Sequence, residues 1–237
     1  MEFIDGVVEK ILSGCPNLEY LELDEFSGIH RLEISSMKLR ELIIDFDFDL
    51  GKEQYLEKET SLFKKILHSV AHVENLTLGS WRIECLSILE LKGLKFPPSS
   101  RKFLKLGVEF NQLDFPGIYC FLQTSLDLET LVIYSYDVEL GYLLSWYTDW
   151  DQETRMLEPH NFNGSFSYLK IIKMLNFNGW VLPLINYLLK HAIVLEKFDI
   201  VAAVQRNHTS LDYVTVASEV LSYPRSSPHA SVLFSYR

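Results

Sequence analysis

Four groups of residues in this chain have types and spacings that could do chemistry: a pair of histidines, an alternating run of aspartates, a stretch of aromatic and acidic residues, and three cysteines. His68 and His72 stand four apart in a helix-like segment, the spacing at which two imidazoles share one face and can bind one zinc ion. No glutamate follows His68, no third ligand is apparent, and His72 falls in the turn before a strand-like run. The pair therefore reads as structural or surface histidines, and no metal site is expected. Asp45-Phe-Asp-Phe-Asp49 sets carboxylates at alternate positions like the start of a calcium loop. Leu50 stands where that loop needs glycine and Leu56 where it needs its bidentate glutamate, so a solvated edge or loop is expected. Cys15, Cys85 and Cys120 are an odd number at wide spacings, which fits buried thiols better than a disulfide frame or a zinc site. There is no phosphate-cradling glycine loop, no nucleophile elbow and no Ser/His/Asp grouping, so neither an enzyme nor a cofactor is expected. Sequons at Asn75, Asn163 and Asn207 read as accidental, because no leader is read that would deliver the chain for glycosylation.

The segment chosen for partner contact is Tyr142 to Asp151, YLLSWYTDWD. Tyr142, Trp146, Tyr147, Asp149, Trp150 and Asp151 combine aromatic anchors with adjacent charge, a mixture enriched at protein interfaces. The competing reading is that Leu143, Leu144 and Trp146 cover a gap between two parts of the chain. In either case Trp146 is expected to be packed and Trp150 nearer solvent.

Those groups are set on a repeated element. Leu12, Leu18, Glu19, Leu21 and Leu23 return at the same offsets as Leu67, Val73, Glu74, Leu76 and Leu78, then as Leu122, Leu128, Glu129, Leu131 and Ile133, and finally as Leu189, Leu195, Glu196, Phe198 and Ile200. Each unit opens on a helical stripe: Ile4, Val7, Val8, Ile11 and Leu12; Phe63, Ile66, Leu67 and Val70; Ile118, Phe121 and Leu122; Val181, Leu184, Ile185, Leu188 and Leu189. A turn follows, such as Gly14 to Asn17, and then a short strand with alternate residues on one side. Further strand-like runs lie at Ile29 to Ile34, Leu39 to Ile44, Leu86 to Leu91, Phe103 to Val108 and Tyr168 to Lys173. The full units start 55, 55 and 67 residues apart, about two leucine-rich repeats each on a period of roughly 20–29 residues. The expected fold is α/β: an irregular leucine-rich-repeat solenoid with a parallel strand face and helices on the convex side. Units that bury one apolar edge each must stack to make a core, which points to binding rather than catalysis.

Composition narrows the partners. Lys plus Arg number 22 and Asp plus Glu 32, a net charge of −10 that repels a phosphate backbone on average, so nucleic acid is not expected as a partner. The most apolar stretch, Val181 to Leu189, is interrupted by Pro183 and Asn186 and stops at Lys190, short of the roughly 20 residues a membrane span requires. No membrane partner is expected, and the chain is placed in the cytoplasm or nucleus.

The runs GCPNLEYLEL, VAHVENLTL and LDLETLVI resemble the divergent leucine-rich repeats of plant F-box proteins. The stretch from Phe166 to Tyr236 resembles the FBD domain that closes many of them, through Leu169-Lys170, the core from Ile185 to Ile200 and the ending from Pro224 to Phe234. The resemblance implies two parts, residues 1–160 as divergent repeats and 161–237 as an FBD-like module. It also implies a non-catalytic protein-binding role, like the substrate-recognition part of an F-box subunit of a cullin–RING ubiquitin ligase. The alternative is a stand-alone scaffold or competitor, or a truncated product without ligase recruitment. Nothing in Met1 to Ser13 resembles an F-box, so contact with the ligase adaptor is expected only where an F-box lies upstream.

Overall fold

Successive side chains of a strand point to opposite faces, so a strand of alternating leucines can bury one row while the other stays polar. That rule organises the molecule. The computed structural model describes residues 10–24, 34–45, 56–94, 96–108, 114–135, 164–177, 181–202 and 213–236. Eight strands form one parallel sheet in sequence order: β1 (Tyr20–Asp24), β2 (Glu41–Asp45), β3 (Asn75–Leu78), β4 (Phe103–Val108), β5 (Thr130–Ser135), β6 (Ile171–Phe177), β7 (Lys197–Ala202) and β8 (Ser231–Tyr236). Leu21, Leu42, Leu76, Leu104, Leu131, Ile172, Phe198 and Val232 pair across it as one column. Leu23, Ile44, Leu78, Leu106, Ile133, Met174, Ile200 and Phe234 make a second. The strand positions aligned across the four sequence units thus fall in shared columns, on alternate strands of the sheet.

The helices bury these columns. They are α1 (Leu56–Ser69), α2 (Ser80–Leu91), α3 (Phe115–Thr124), α4 (Leu182–His191) and α5 (Tyr213–Ser222), and residues 10–13 are also helical. The expected stripes of α1, α3 and α4 are buried and share one apolar cluster with the inward strand residues. Pro116 and Pro183 sit in the first turns of α3 and α4, where a missing N–H removes no helical hydrogen bond. Of the first stripe, Leu12 is buried, but Ile11 is 55% exposed and faces away from the core.

One expected strand is a helix. Leu86 to Leu91 lies in α2, whose residues 82–89 are all buried. A helix covered on every side loses the polar stripe that reveals its period, and a short run of leucine and isoleucine with one serine and one glutamate then imitates a strand. Burial is extreme where α2 meets α3: the Gly117 amide donates to Ser87 Oγ at 2.8 Å, and a Cβ at Gly117 would stand 2.5 Å from the Ile83 carbonyl. Gly93, at φ 70°, ends α2, with the Gly93 and Leu94 amides donating to Glu90 and Leu89. The run at Tyr168 also shifts, since β6 begins only at Ile171. Of Ile29 to Ile34 only Ile34 is described, buried and outside any strand.

Just before each strand the backbone repeats one contact. Arg40 and Glu41 amides donate to the Glu19 carbonyl, Lys102 and Phe103 to Glu74, Glu129 and Thr130 to Lys102, Lys170 and Ile171 to Glu129, and Glu196 and Lys197 to Lys170. The residues in this column are Glu19, Arg40, Glu74, Lys102, Glu129, Lys170 and Glu196, alternating in charge across seven rungs. Lys102 Nζ lies 4.0 Å from Glu74, with both side chains about half exposed. Sequence also explains how the last rung closes. In Pro224-Arg-Ser-Ser-Pro228 the Ser226 amide and hydroxyl donate to the Leu189 and Lys190 carbonyls at the end of α4, which the helix itself leaves open. Ser227 Oγ donates to Leu195 O as Ser36 Oγ does to Leu18 O.

Two outcomes follow. Leu131→Asp puts an unpaired charge at a fully buried position and should cost more than about 3 kcal/mol, visible as loss of a cooperative thermal transition. Lys102→Glu sets a like charge against Glu74 and Glu129 and should cost about 0.5–1 kcal/mol in denaturant titration, a loss that shrinks in high salt.

Candidate partner-binding face of the sheet

The same alternation that buries the leucines leaves the other row of each strand on a face that no described helix covers. Rung by rung it carries Tyr20, Glu22 and Asp24 on β1, Glu41, Ile43 and Asp45 on β2, Asn75 and Thr77 on β3, and Phe103 and Lys105 on β4. It continues with Thr130, Val132 and Tyr134 on β5, Ile171, Lys173 and Leu175 on β6, Lys197, Asp199 and Val201 on β7, and Ser231 and Leu233 on β8. Most are half-buried or exposed, and Leu233 is 51% exposed.

Charge is segregated along this face. On β1 and β2 the four ionisable carboxylates, Glu22, Asp24, Glu41 and Asp45, have no lysine or arginine among them in the same rows. The Tyr20 hydroxyl donates to Glu22, and mainly through that bond, with the Glu22 and Glu41 charges adding to it, its phenol is pushed up to about 12. From β4 to β7 the face instead carries Lys105, Lys173 and Lys197, against one acid, Asp199, which Lys197 Nζ holds at 2.7 Å. In a chain of net charge −10, this half of the face thus carries three lysines against one acid.

A built contact joins the two halves. Gly79, after β3, and Gly107, on β4, present no side chain between β2 and β5. Tyr134 reaches across them, its hydroxyl donating to Asp45 Oδ2 at 3.3 Å, while Lys105 Nζ lies 4.7 Å from the centre of its ring. Three strand spacings separate β2 from β5, about 14 Å, so the tyrosine must lie along the sheet rather than stand off it. A Cβ on Gly79 would meet Asp45 Oδ1 at 2.3 Å. At one rim Asn176 takes a left-handed φ of 56° in a register shift between β6 and β7, and its Nδ2 donates to the Ser135 carbonyl. Asparagine tolerates that backbone better than most residues.

The sequence-chosen segment, with Tyr142, Trp146, Tyr147, Asp149, Trp150 and Asp151, lies outside the described residues, as do Asp47 and Asp49. His68 is exposed, and His72 Nε2 is bonded 3.2 Å from the Ser36 carbonyl. Among the described residues no group of three or more His, Cys, Asp or Glu could hold a metal ion, and no helix is long and apolar enough to cross a membrane. The three cysteines are free. Reasoning on the sequence missed the open-face charges, although the signal was present: the aligned units place Glu22, Thr77, Val132 and Asp199 in one column between two leucine columns.

These features define an α/β protein with a parallel sheet whose rungs repeat in register. No family model matches the chain, and no solved structure matches it. Among curated proteins, it is 28% identical over 179 residues to a putative F-box/LRR-repeat protein of Arabidopsis thaliana, covering 56% of this chain and 39% of that one. It is 27% identical over 251 residues to an F-box/FBD/LRR-repeat protein of the same plant, covering 96% of this chain and 58% of the relative. An FBD-associated F-box protein is 22% identical over 234 residues, covering 96% and 48%. The chain is thus similar to plant F-box/LRR and F-box/FBD/LRR proteins, and it spans about half the length of the curated relatives it matches.

Gly79→Ala tests the geometry of the face. The added methyl must push the Asp45 carboxylate away from Tyr134, yet the atom that moves is the end of a short polar side chain. The expected result is a shift in Tyr134 fluorescence or ring resonances with a stability loss below about 1 kcal/mol.

Proposed function

We propose that this chain is the target-recognising part of an F-box-type protein, an irregular leucine-rich-repeat solenoid closed by an FBD-like module at 161–237, and that the open sheet face is where the target docks. The supporting observation is the segregation of charge on that face, acidic on β1 and β2 and basic on β4 to β6, bridged by Tyr134 lying between Asp45 and Lys105. Opposed charge strips fix the direction in which a partner lies and reject reversed or uniformly charged competitors. Phe103 and Ile171, half-buried on β4 and β6, lie within the basic half and supply apolar contact. The rungs of the FBD-like segment extend the same sheet, since β5 pairs with β6, so a bound protein could span both parts.

In this reading the chain has no chemistry of its own, needs no cofactor, works in the cytoplasm or nucleus, and serves ubiquitin transfer through the ligase adaptor wherever an F-box is joined to it. The segment from Tyr142 to Asp151 remains a second proposed contact.

Paired charge reversal decides between the open face and other surfaces. Lys105→Glu with Lys173→Glu, and separately Glu22→Lys with Glu41→Lys, should leave a cooperative melt within about 1 kcal/mol of the parent, because all four side chains are at least partly exposed. Quantitative comparison of proteins captured from plant extract should show one set of partners lost at least tenfold by both pairs and retained by reversal of exposed Lys65 on α1. Partner capture unchanged by either pair would move recognition away from this face.

A further inference from the structure

The repeat supplies its own control for one residue that breaks it. Three positions before the Leu21 column the rungs carry Leu18, Leu39, Val73, Leu128, Leu169 and Leu195, and in the eighth rung His229. The rung of β4 carries Arg101, 3% exposed, where its neighbours Val73 and Leu128 are fully buried. A leucine would satisfy the fold there, as it does in the adjoining rungs, and a guanidinium is costly to bury without an anion.

Among the described residues no carboxylate is paired with the Arg101 guanidinium. Nη1 donates to Ser99 Oγ at 2.9 Å, and the guanidinium stands 5.3 Å from the centre of the Phe121 ring. The buried Nε has no hydrogen-bond partner. Arg101 lines a small cavity with Leu67, Leu86, Phe96, Cys120 and Thr124. Its volume of about 10 Å³ is enough for one water-sized atom. Thr124 Oγ1 donates to the carbonyls of Cys120 and Phe121, and burial, with Glu90 beside it, pushes the Cys120 thiol well up and keeps it neutral. Burial lowers the arginine itself only to about 10, so at neutral pH it is a cation. A site that offers one unpartnered N–H, full positive charge and no carboxylate in its lining selects an acceptor-only anion.

We propose that the cavity beside Arg101 binds one monatomic monovalent anion, chloride. The site lies on the helix side of the sheet, under α1, α2 and α3, and is independent of the docking face proposed above.

The test uses the whole chain and Arg101→Leu, which restores the side chain used by neighbouring rungs and is expected to fold with unchanged or raised stability. Both proteins are melted in sodium isethionate at constant ionic strength while sodium chloride, or in a second arm sodium acetate, replaces it. The parent should show a saturable rise of a few degrees in Tm in the chloride arm, and Arg101→Leu none. A response of the parent to chloride and not to acetate upholds the site, and a response to acetate without one to chloride overturns it. Equal responses in both proteins, or none in either, overturn the proposal. Should Arg101→Leu fail to fold, crystals of the parent grown with bromide and with acetate decide the matter. An anomalous bromide peak within hydrogen-bond distance of Nε upholds the site, and a lone water in both crystals overturns it.

Discussion

Everything in this molecule depends on the strand ladder holding one register over eight rungs. A slip of one residue at any rung would turn its inward leucines to the open face and bury its charged row, because side chains alternate with a period of two. The inward columns from Leu21 to Val232 and from Leu23 to Phe234 are therefore less a list of core residues than a single constraint applied repeatedly. Helix packing follows from it: Phe63, Ile118, Ile185 and their neighbours are buried because the columns beneath them form a continuous apolar strip. The spacing of units in sequence can vary widely, since the chain between rungs alters neither the pairing nor the side a residue faces.

The same constraint builds the candidate site without any extra device. Once the leucines are fixed inward, residues two apart in one strand and partners in adjacent strands come to lie on a common surface. Glu22 and Glu41, or Lys105 and Lys173, then combine into strips although they are far apart in sequence. Glycine at 79 and 107 adds the one irregularity that matters, an opening into which Tyr134 can lie flat and link the acidic to the basic half. Function on such a face needs no cleft, only the sum of small side-chain choices on rigid rungs.

This explains what was legible in the sequence. The offsets shared by Leu12, Leu67, Leu122 and Leu189 and by the strand positions that follow reported real register, because burial constrains those residues to be apolar. Strand starts were less legible: the amides of Leu18, Val73 and Leu128 donate into the preceding turn, so pairing begins two residues later than the leucine pattern. α2 is misread because burial of residues 82–89 on every side erases helical amphipathicity. Ile11 misled for the opposite reason, as an apolar residue on the exposed side of a helix end. The charged strips were hidden because their members recur at irregular separations and vary in type, and nothing in composition distinguishes them from solvated charges. Arg101 looked like any surface arginine until register placed it among leucines.

The alternating column of Glu19, Arg40, Glu74, Lys102, Glu129, Lys170 and Glu196 bears on how such a ladder avoids its own errors. Each pair is exposed and contributes little by itself, well under about 1 kcal/mol. Its value lies in the comparison with wrong neighbours. Repeats of similar sequence can mispair by skipping a rung, and the hydrophobic columns oppose this only weakly, since leucine packs on leucine in either arrangement. Skipping one rung would set glutamate against glutamate or lysine beside arginine all along the column, turning several weak attractions into several repulsions at once. Discrimination between correct and skipped stacking is therefore about twice the attraction summed over the column, while the stability of the correct stack gains only that attraction. An apolar repeat supplies the energy of association, and a polar column that alternates in sign supplies its order.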